Sequence, residues 1–302
     1  IGRGWDQNLW PGKQFPTKKK LTELFPDKPV LLERVDGHAS LANDAALTLA
    51  HMQPGMQIAG GSAETKDGKL TGILIDNAID TLGLVVPKPS KADHEKWLTA
   101  AQNNCFTQGL TTVTDCGLMY NEVESIDALQ KENKLQMRIY VMLSDNKLNY
   151  DKYVNKAPYK TDLLYVRGIK VYGDGALGSR GACLLDDYND QPGWKGFLLQ
   201  SKSHYDSIAK MLAGTEFQMC THAIGDSANR EILNVYNKYL QGKNDKRWRI
   251  EHAQIIQEND FDLFGKASII PSLQSTHATS DMYWAAERVG SERIKGAYAF
   301  KQ

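Results

Sequence analysis

The 302-residue chain lacks a net charge, a long apolar run and a paired spacing of its cysteines. It carries 36 basic and 36 acidic side chains, so nothing in its charge favours nucleic acid or an anionic membrane as a partner. No apolar run approaches the roughly 18 residues of a membrane span. The four cysteines form no Cys-x-x-Cys motif, which favours reduced, buried thiols over a disulfide framework. We expect a small-molecule substrate, and the sequence leaves homo-oligomer formation open.

The N-terminal residues do not indicate a cellular compartment. No signal peptide is visible. The first residue is Ile1 rather than methionine. We therefore assign no compartment from the sequence.

The composition changes near residue 90. Residues 1–90 are rich in Pro, Gly and Trp, and one apolar strand stands out at residues 30–35, directly before Asp36-Gly37-His38. Residues 91–302 alternate short apolar strands with amphipathic helices. We predict an irregular insertion region over 1–90 that packs on a second unit over 91–302.

Six strands are predicted in the second unit, centred near residues 113, 140, 170, 220, 250 and 271. Their spacing approximates the roughly 31 residues of one unit of a (β/α)8 barrel, with one longer gap after residue 170. The same alternation also fits a doubly wound open sheet. A barrel built from these strands is two strands short of eight.

Three of these strands carry side chains that could bind a metal or take part in catalysis. Lys170 lies within the strand at 166–172, and the next two strands end in His222 and His252. Because the carboxyl ends of barrel strands open on one face, we expect the three side chains to converge. Imidazoles are good ligands of zinc and similar divalent ions. The pattern predicts a metal-dependent hydrolase.

Lys170 has three interpretations. It is a Schiff-base nucleophile of lowered pKa, a carboxylated lysine that bridges metal ions, or a structural lysine that pairs with Asp174 or reaches solvent. The first would make the protein a lyase or an aldolase, and borohydride trapping would detect it. A non-catalytic, degenerate relative of an enzyme is a further alternative.

The glycine-rich segment after the lysine strand, residues 173–178, matches the G-x-G-x-x-G pattern of dinucleotide binding. No clear apolar helix follows it, so we interpret the glycines as allowing a loop to pass close to an active site. Two other residues are candidates near this face. His277 follows the last strand and could contact substrate, and Asp226 follows His222 as a helix N-cap or a supporting residue.

At these residues the chain resembles the amidohydrolase superfamily, and more closely its YtcJ-like branch, amidohydrolase family 3. The matching segments occur in the family's order along nearly the whole chain, at residues 2–7, 34–38, 169–180, 221–226 and 249–254. The resemblance implies a distorted (β/α)8 TIM-type barrel that holds one or two divalent metals, usually zinc. It implies that Lys170 is the fourth-strand lysine, often carboxylated, and that His222 and His252 are the fifth- and sixth-strand metal ligands.

The chain also departs from the family pattern. It contains no His-x-His pair and no terminal aspartate strand, which the family places on the first and eighth barrel strands. The expected fold is therefore an incomplete barrel, a central fragment with two exposed strand edges. The missing aspartate is the family's general base. We expect this chain by itself to bind metal weakly and to hydrolyse poorly or not at all.

The resemblance also implies an activity and further site residues. The implied reaction is hydrolysis of a carbon–nitrogen bond, such as an N-acyl or N-formyl amide, by metal-activated water. His38 and Asp174 are the candidates for further catalytic residues, and His277 and Asp226 are those for substrate binding.

Overall fold

The computed structural model describes all residues, Ile1–Gln302. Its strands form two sheets. The strands are β1 Gly2–Trp5, β2 Leu31–Arg34, β3 Ala39–Ala42, β4 Gly61–Lys66, β5 Lys69–Asp76, β6 Thr112–Leu118, β7 Arg138–Ser144, β8 Tyr159–Lys160, β9 Leu164–Tyr172, β10 Gln218–Ala223, β11 Arg249–His252 and β12 Ile270–Ser272.

The α-helices follow the strands of the larger sheet and fill the connections of the smaller one. They are α1 Lys19–Leu24, α2 Asp44–Leu49, α3 Asn77–Gly83, α4 Lys91–Thr107, α5 Tyr120–Lys131, α6 Lys147–Asn149, α7 Lys202–Ala213, α8 Asp226–Leu240, α9 Phe261–Lys266, α10 Thr276–Asp281 and α11 Ala285–Arg293. None of the helices combines the length and the apolar character that a membrane crossing needs.

The larger sheet is an incomplete α/β barrel. Its main strands are all parallel and run in the order β6-β7-β9-β10-β11-β12, with the short β8 added to β9. Helix α4 precedes β6, and helices α5, α7, α8 and α9 lie in the crossover connections between the following strands, as in a TIM-type barrel. This confirms the fold class that the sequence predicted. β6 and β12 stand at the two ends of the sheet.

The main core lies between this sheet and its helices. Ile169 and Val171 of β9 and Met219 of β10 point into it, against apolar residues of α7 and α8 such as Ile208 and Ile232. Since side chains alternate across a strand, the residues between them face the other side. The periodicity of the strands thus directs their polar residues into the barrel interior.

The N-terminal region is more regular than predicted. Residues 1–90 are not irregular but contain a five-stranded sheet of order β1-β2-β3-β5-β4 and the helices α1, α2 and α3. The stretch Lys66-Asp67-Gly68-Lys69, whose Asp-Gly pair is typical of a hairpin turn, joins β4 and β5. β2 corresponds to the strand predicted at residues 30–35. β1 and β3 escaped prediction because each spans only four residues, too few to establish an alternating pattern.

The segment between β9 and α7 links the two sheets. Leu199 donates its backbone N–H to the carbonyl of Gly173, just beyond β9, at 3.0 Å. Its own carbonyl accepts a hydrogen bond from the side chain of Asn77, at the start of α3, at 3.2 Å. The small sheet is therefore held against the carboxyl end of the barrel strands, where barrel chemistry occurs.

Candidate active site

Lys170, His222 and His252 line one cavity of about 470 Å³ at the carboxyl end of the barrel strands. Parallel pairing sets Lys170 beside Cys220 and sets His252 beside Ala223, the neighbour of His222. The imidazole centroids of the two histidines are 4.6 Å apart. The expected convergence of three strand ends is therefore seen in the geometry.

Lys170 is buried without a charged partner. Its side chain is 4% exposed, and it forms no hydrogen bond or ion pair in the structure. Its Nζ atom lies 4.4 Å from the centroid of the Tyr172 ring, a favourable but modest contact for a cation. Burial lowers the pKa of Lys170. The pairing with Asp174 considered from the sequence does not form.

His222 is enclosed at the centre of the site. Its Nε2 atom lies 3.3 Å from the carbonyl oxygen of Gly175 and 3.5 Å from a carboxylate oxygen of Asp174. Burial and then the neighbouring cationic groups, among them His252, lower its pKa well below the usual value. The imidazole is therefore neutral near pH 7 and has a lone pair available.

His252 adopts an unusual backbone conformation. Its φ is 74°, and the next residue, Ala253, has a φ of 41°, so two successive residues with side chains occupy the left-handed region. Such strain tends to occur at functional sites. Burial and then the charge of Lys170 lower the pKa of His252 to about 3. Its Nδ1 atom is buried and has no hydrogen-bond partner.

His38 comes from the small sheet, in the loop between β2 and β3. It lines the same cavity, and its ring centroid is 5.0 Å from that of His222. Its Nδ1 atom lies 2.6 Å from a carboxylate oxygen of Asp76, the last residue of β5. Burial lowers the pKa of His38, but hydrogen bonding to Asp76 and the charge of that carboxylate outweigh it, so the pKa is raised.

Asp76 was missed by sequence reasoning. It ends an apolar strand, after Ile73, Leu74 and Ile75. That position is the only local signal for it, because no motif joins it to His38. Burial raises the pKa of Asp76, and the hydrogen bond to His38 opposes this effect.

Asp174, one of the two predicted catalytic residues, does not line the cavity. Its fully buried carboxylate accepts hydrogen bonds from the backbone N–H groups of Cys183, Ile224 and Gly225, at 2.8 to 2.9 Å. Burial raises its pKa to about 7. The geometry therefore gives Asp174 the role of joining the segments that follow β9 and β10, beneath His222, rather than a contact with substrate.

Asp226, a predicted substrate-binding residue, also lies outside the cavity wall. One of its carboxylate oxygens accepts hydrogen bonds from the backbone N–H groups of Leu185 and Ser227 at the start of α8. The other accepts from the side chain of Gln257 at 2.9 Å. The carboxylate therefore has a structural role at the start of α8. Asp226 is the first residue of this helix and Gly225 is its N-cap, so the N-cap that the sequence assigned to Asp226 lies one residue earlier.

His277, the other predicted substrate-binding residue, does line the cavity. Its ring stacks on that of His252, with centroids 5.4 Å apart and planes at 7°. Its Nδ1 atom lies 3.2 Å from the side-chain oxygen of Gln254, which also faces the cavity. Contacts of this kind hold the imidazole at the rim, where a bound molecule could reach it.

A buried arginine forms a further part of the cavity wall, and sequence reasoning did not single it out. Arg34, at the end of β2, is 2% exposed. Its guanidinium donates to the side chains of Gln7 at 2.7 Å, Asp36 at 2.5 Å and Asp6 at 2.7 Å. Since two carboxylates pair with one guanidinium, the cluster carries a net negative charge at the cavity wall.

No three or more His, Cys, Asp or Glu side chains of the chain are grouped so that they could hold a metal ion. The site offers two imidazoles and an amine instead. The sequence pattern anticipated these three residues. The structure adds that both imidazoles are neutral and that the amine is unpaired.

The model of one protein family, described as the amidohydrolase family, matches residues 1–302. This chain belongs to the amidohydrolase family. The resemblance inferred from separate motifs is thereby confirmed over the full length of the chain.

Two curated relatives match the whole chain. A putative amidohydrolase, YtcJ, from Bacillus subtilis is 31% identical over 310 residues, which are 58% of that protein. The protein LONG AFTER FAR-RED 3 from Arabidopsis thaliana is 30% identical over 318 residues, which are 54% of it. The chain thus spans a little over half the length of these two relatives.

A solved structure supports the fold of this family member. The crystal structure of an uncharacterized metal-dependent hydrolase from Pyrococcus horikoshii aligns with a TM-score of 0.75 and 25% sequence identity. The alignment covers 99% of this chain and 59% of that one. A metal-dependent hydrolase from Pyrococcus furiosus aligns similarly, with a TM-score of 0.71.

Proposed function

We propose that this amidohydrolase family member is a metal-dependent hydrolase of a small molecule. It would cleave a carbon–nitrogen bond, such as that of an N-acyl or N-formyl amide. The observation that carries the proposal is that Lys170, His222 and His252 line one cavity at the ends of three neighbouring parallel strands. The likeness to structures described as metal-dependent hydrolases supports it. We propose neither a nucleic acid nor a membrane as a partner.

The donor set fits a divalent ion such as zinc in part. His252 has a buried Nδ1 atom without a partner, and burial keeps the imidazole of His222 neutral. A cation would use such lone pairs. His222 and His252 would hold the metal together with Lys170. When bound, the metal would lower the pKa of water and polarise the carbonyl group of the substrate.

Lys170 is the residue on which the fit depends. An ammonium group beside two imidazoles would repel a metal ion, whereas a carboxylated lysine would supply an oxygen ligand. The neutral Nζ atom would add to carbon dioxide, forming one N–C bond and releasing one proton. Burial lowers the pKa of Lys170 and so increases the neutral fraction that this addition needs.

Of the remaining residues, His277 would bind the substrate and His38 would be a further catalytic residue. His38 and His277 reach the cavity from opposite elements, the small sheet and the segment after β12. Asp174 would support His222 from beneath without touching the substrate, since its oxygens hold backbone N–H groups. The negative cluster around Arg34 would disfavour a substrate with an anionic group at that wall.

Zinc titration by calorimetry tests the proposal. We expect weak, measurable binding to this chain, with an affinity that falls at least about tenfold in His222→Asn and in His252→Asn. His51→Asn, at an exposed histidine far from the cavity wall, is the matched control and should bind as the wild type does. Equal affinity in all four proteins would contradict the proposed metal site.

A panel of N-formyl and N-acetyl amino acid amides, which carry no carboxylate, tests the reaction. Zinc-dependent release of formate or acetate is the expected result, at a low rate for this chain. Absence of turnover despite zinc binding at the predicted residues would favour a non-catalytic relative.

The buried, unpaired amine of Lys170 also favours a second candidate, a Schiff-base lyase or aldolase. Borohydride reduction in the presence of carbonyl compounds distinguishes the two. A trapped adduct on Lys170, together with activity that does not depend on zinc, would replace the hydrolase by the lyase.

A further inference from the structure

Both the backbone and the side chain of Asp76 are in energetically unfavourable states. Its backbone has a φ of 49° and a ψ of −125°, a conformation that side chains disfavour. Its carboxylate is 1% exposed, and one oxygen, Oδ2, is buried without any hydrogen-bond partner. Both features cost free energy of folding. A purely structural residue at the end of a strand would not need either of them.

The glycine-rich loop after β9 is shaped around this carboxylate. A Cβ atom built on Gly175 or on Gly181 would lie 2.4 Å from the Oδ2 atom of Asp76. Any side chain at either glycine would displace the carboxylate. The loop that suggested nucleotide binding in the sequence thus makes room for a residue of the small sheet.

The single partner of the carboxylate is His38. The Oδ1 atom of Asp76 is 2.6 Å from Nδ1 of His38, and no other hydrogen bond of this imidazole is formed. The ring lines the cavity beside His222. Since Nδ1 points to the carboxylate, the other ring nitrogen, Nε2, is left for a molecule in the cavity.

We propose that Asp76 is a positioning residue that fixes the tautomer and orientation of His38 for the reaction in the cavity. The carboxylate accepts the Nδ1–H hydrogen bond, so Nε2 keeps its lone pair and takes a proton from the attacking water. The proton then passes to the leaving nitrogen. Asp76 stabilises the positive charge of the imidazolium in between. The proton transfer rests on the proposed hydrolase function, whereas the tautomer of His38 can be tested without it.

The tautomer is measured by NMR on the whole chain labelled with 15N-histidine, at alkaline pH, where the imidazole is neutral. The wild type should show the proton of His38 on Nδ1, with the signal assigned by its loss in His38→Gln. Asp76→Gly should lose this preference, because glycine accepts the same backbone conformation but has no carboxylate. Asp80→Asn, one helical turn along α3 and without a hydrogen bond to His38, should leave it unchanged.

Gly181→Ala gives a second route to the same result. Its methyl group should push the carboxylate from His38 without removing it, so the tautomer should also change. This variant decides the question if Asp76→Gly does not fold. A wild-type proton on Nε2, or an unchanged tautomer in the variants that fold, would overturn the proposal.

Kinetics separates positioning from a structural role. With a substrate that is turned over, Asp76→Gly should lower kcat at least about tenfold and leave KM within about threefold, as expected for loss of general acid–base assistance. A fall in kcat no larger than that of Asp80→Asn would overturn the proposal. If no variant hydrolyses any substrate, the tautomer alone decides the role of Asp76.

Discussion

At the scale of single residues, the two site histidines lose contact with water on folding and gain no close carboxylate in exchange. Asp174 is the nearest one to His222, at 3.5 Å, and three backbone N–H groups already occupy it. A buried imidazole in this situation favours its neutral form. The same loss of water that makes these groups suitable for a cation therefore makes folding sensitive to acid.

The stability of the metal-free chain should report this through His252. Its pKa is about 3 in the folded state against the usual value of 6.5. Between these values the unfolded chain binds a proton that the folded chain does not, so the free energy of unfolding falls as the pH falls. His252→Gln should reduce this fall by roughly 1 to 2 kcal/mol between pH 6.5 and 4.5, measured by urea denaturation.

Asp174 has the opposite effect on the pH dependence of the free energy of unfolding. Its contribution must therefore be the same in the proteins that are compared. Its pKa is raised to about 7, so the folded chain binds the extra proton. Its contribution to stability is present at low pH and is lost as the pH rises from about 4 to 7. Comparing His252→Gln with His51→Gln cancels this effect. Parallel pH profiles in the two variants would show that His252 is protonated equally in both states.

At the scale of elements, the N-terminal ends of the helices show how the capping residue is determined. Ser90 and Asp93 have the spacing of a capping box, and α4 begins with one. The same spacing at Asn121 and Glu124 and at Ser203 and Asp206 predicts two further helix starts. Both are wrong by two residues, because Met119 precedes α5 and Ser201 caps α7. Ser201 and Ser203 compete for the cap of α7, whereas α5 begins after Met119, whose side chain makes no capping hydrogen bond. Packing of the helix on the sheet decides which of them lies at its end.

The α7 start gives a direct test of this selection. The hydroxyl oxygen of Ser201 accepts a hydrogen bond from the backbone N–H of His204 at 3.2 Å. Ser201→Ala should therefore lower the free energy of unfolding by about 1 kcal/mol. Ser203→Ala, two residues on and already in the helix, is the matched control and should cost less. Urea denaturation measures both, and a larger cost for Ser203→Ala would reverse the assignment of the cap.

At the scale of the whole molecule, the site is assembled from two sheets of unequal size. The barrel sheet has one apolar core of 32 buried residues, whereas the small sheet has clusters of 10 and 4. The small sheet supplies His38 and Asp76, and the barrel supplies Lys170, His222 and His252. The reactive geometry therefore depends on the docking of the less extensive core onto the larger one.

Hydrogen exchange should reveal the difference in stability between the two sheets. Less buried apolar surface provides less free energy against opening. We expect backbone amides of β3 and β5 to exchange through openings of lower free energy than those of β9 and β10. Exchange of native protein followed by mass spectrometry gives both values from one sample. Equal protection of the two sheets would mean that they open as one cooperative unit.

The sequence by itself determined which residues face the interior of the barrel. Alternation along a strand placed Lys170 opposite Ile169 and Val171, and it placed His222 opposite Thr221 and Ala223. The order of the strands and their spacing then implied that these side chains meet. These are properties of short segments, so the sequence of each segment was enough.

Only the tertiary structure decided the partners of those residues. His38 and Asp76 are 38 positions apart; His38 directly precedes β3, and Asp76 is the last residue of β5. Asp174 turned out to hold backbone groups, because the loop after β9 folds back beneath His222. Contacts between distant segments depend on how whole sheets pack together, and no local spacing of residues encodes that arrangement.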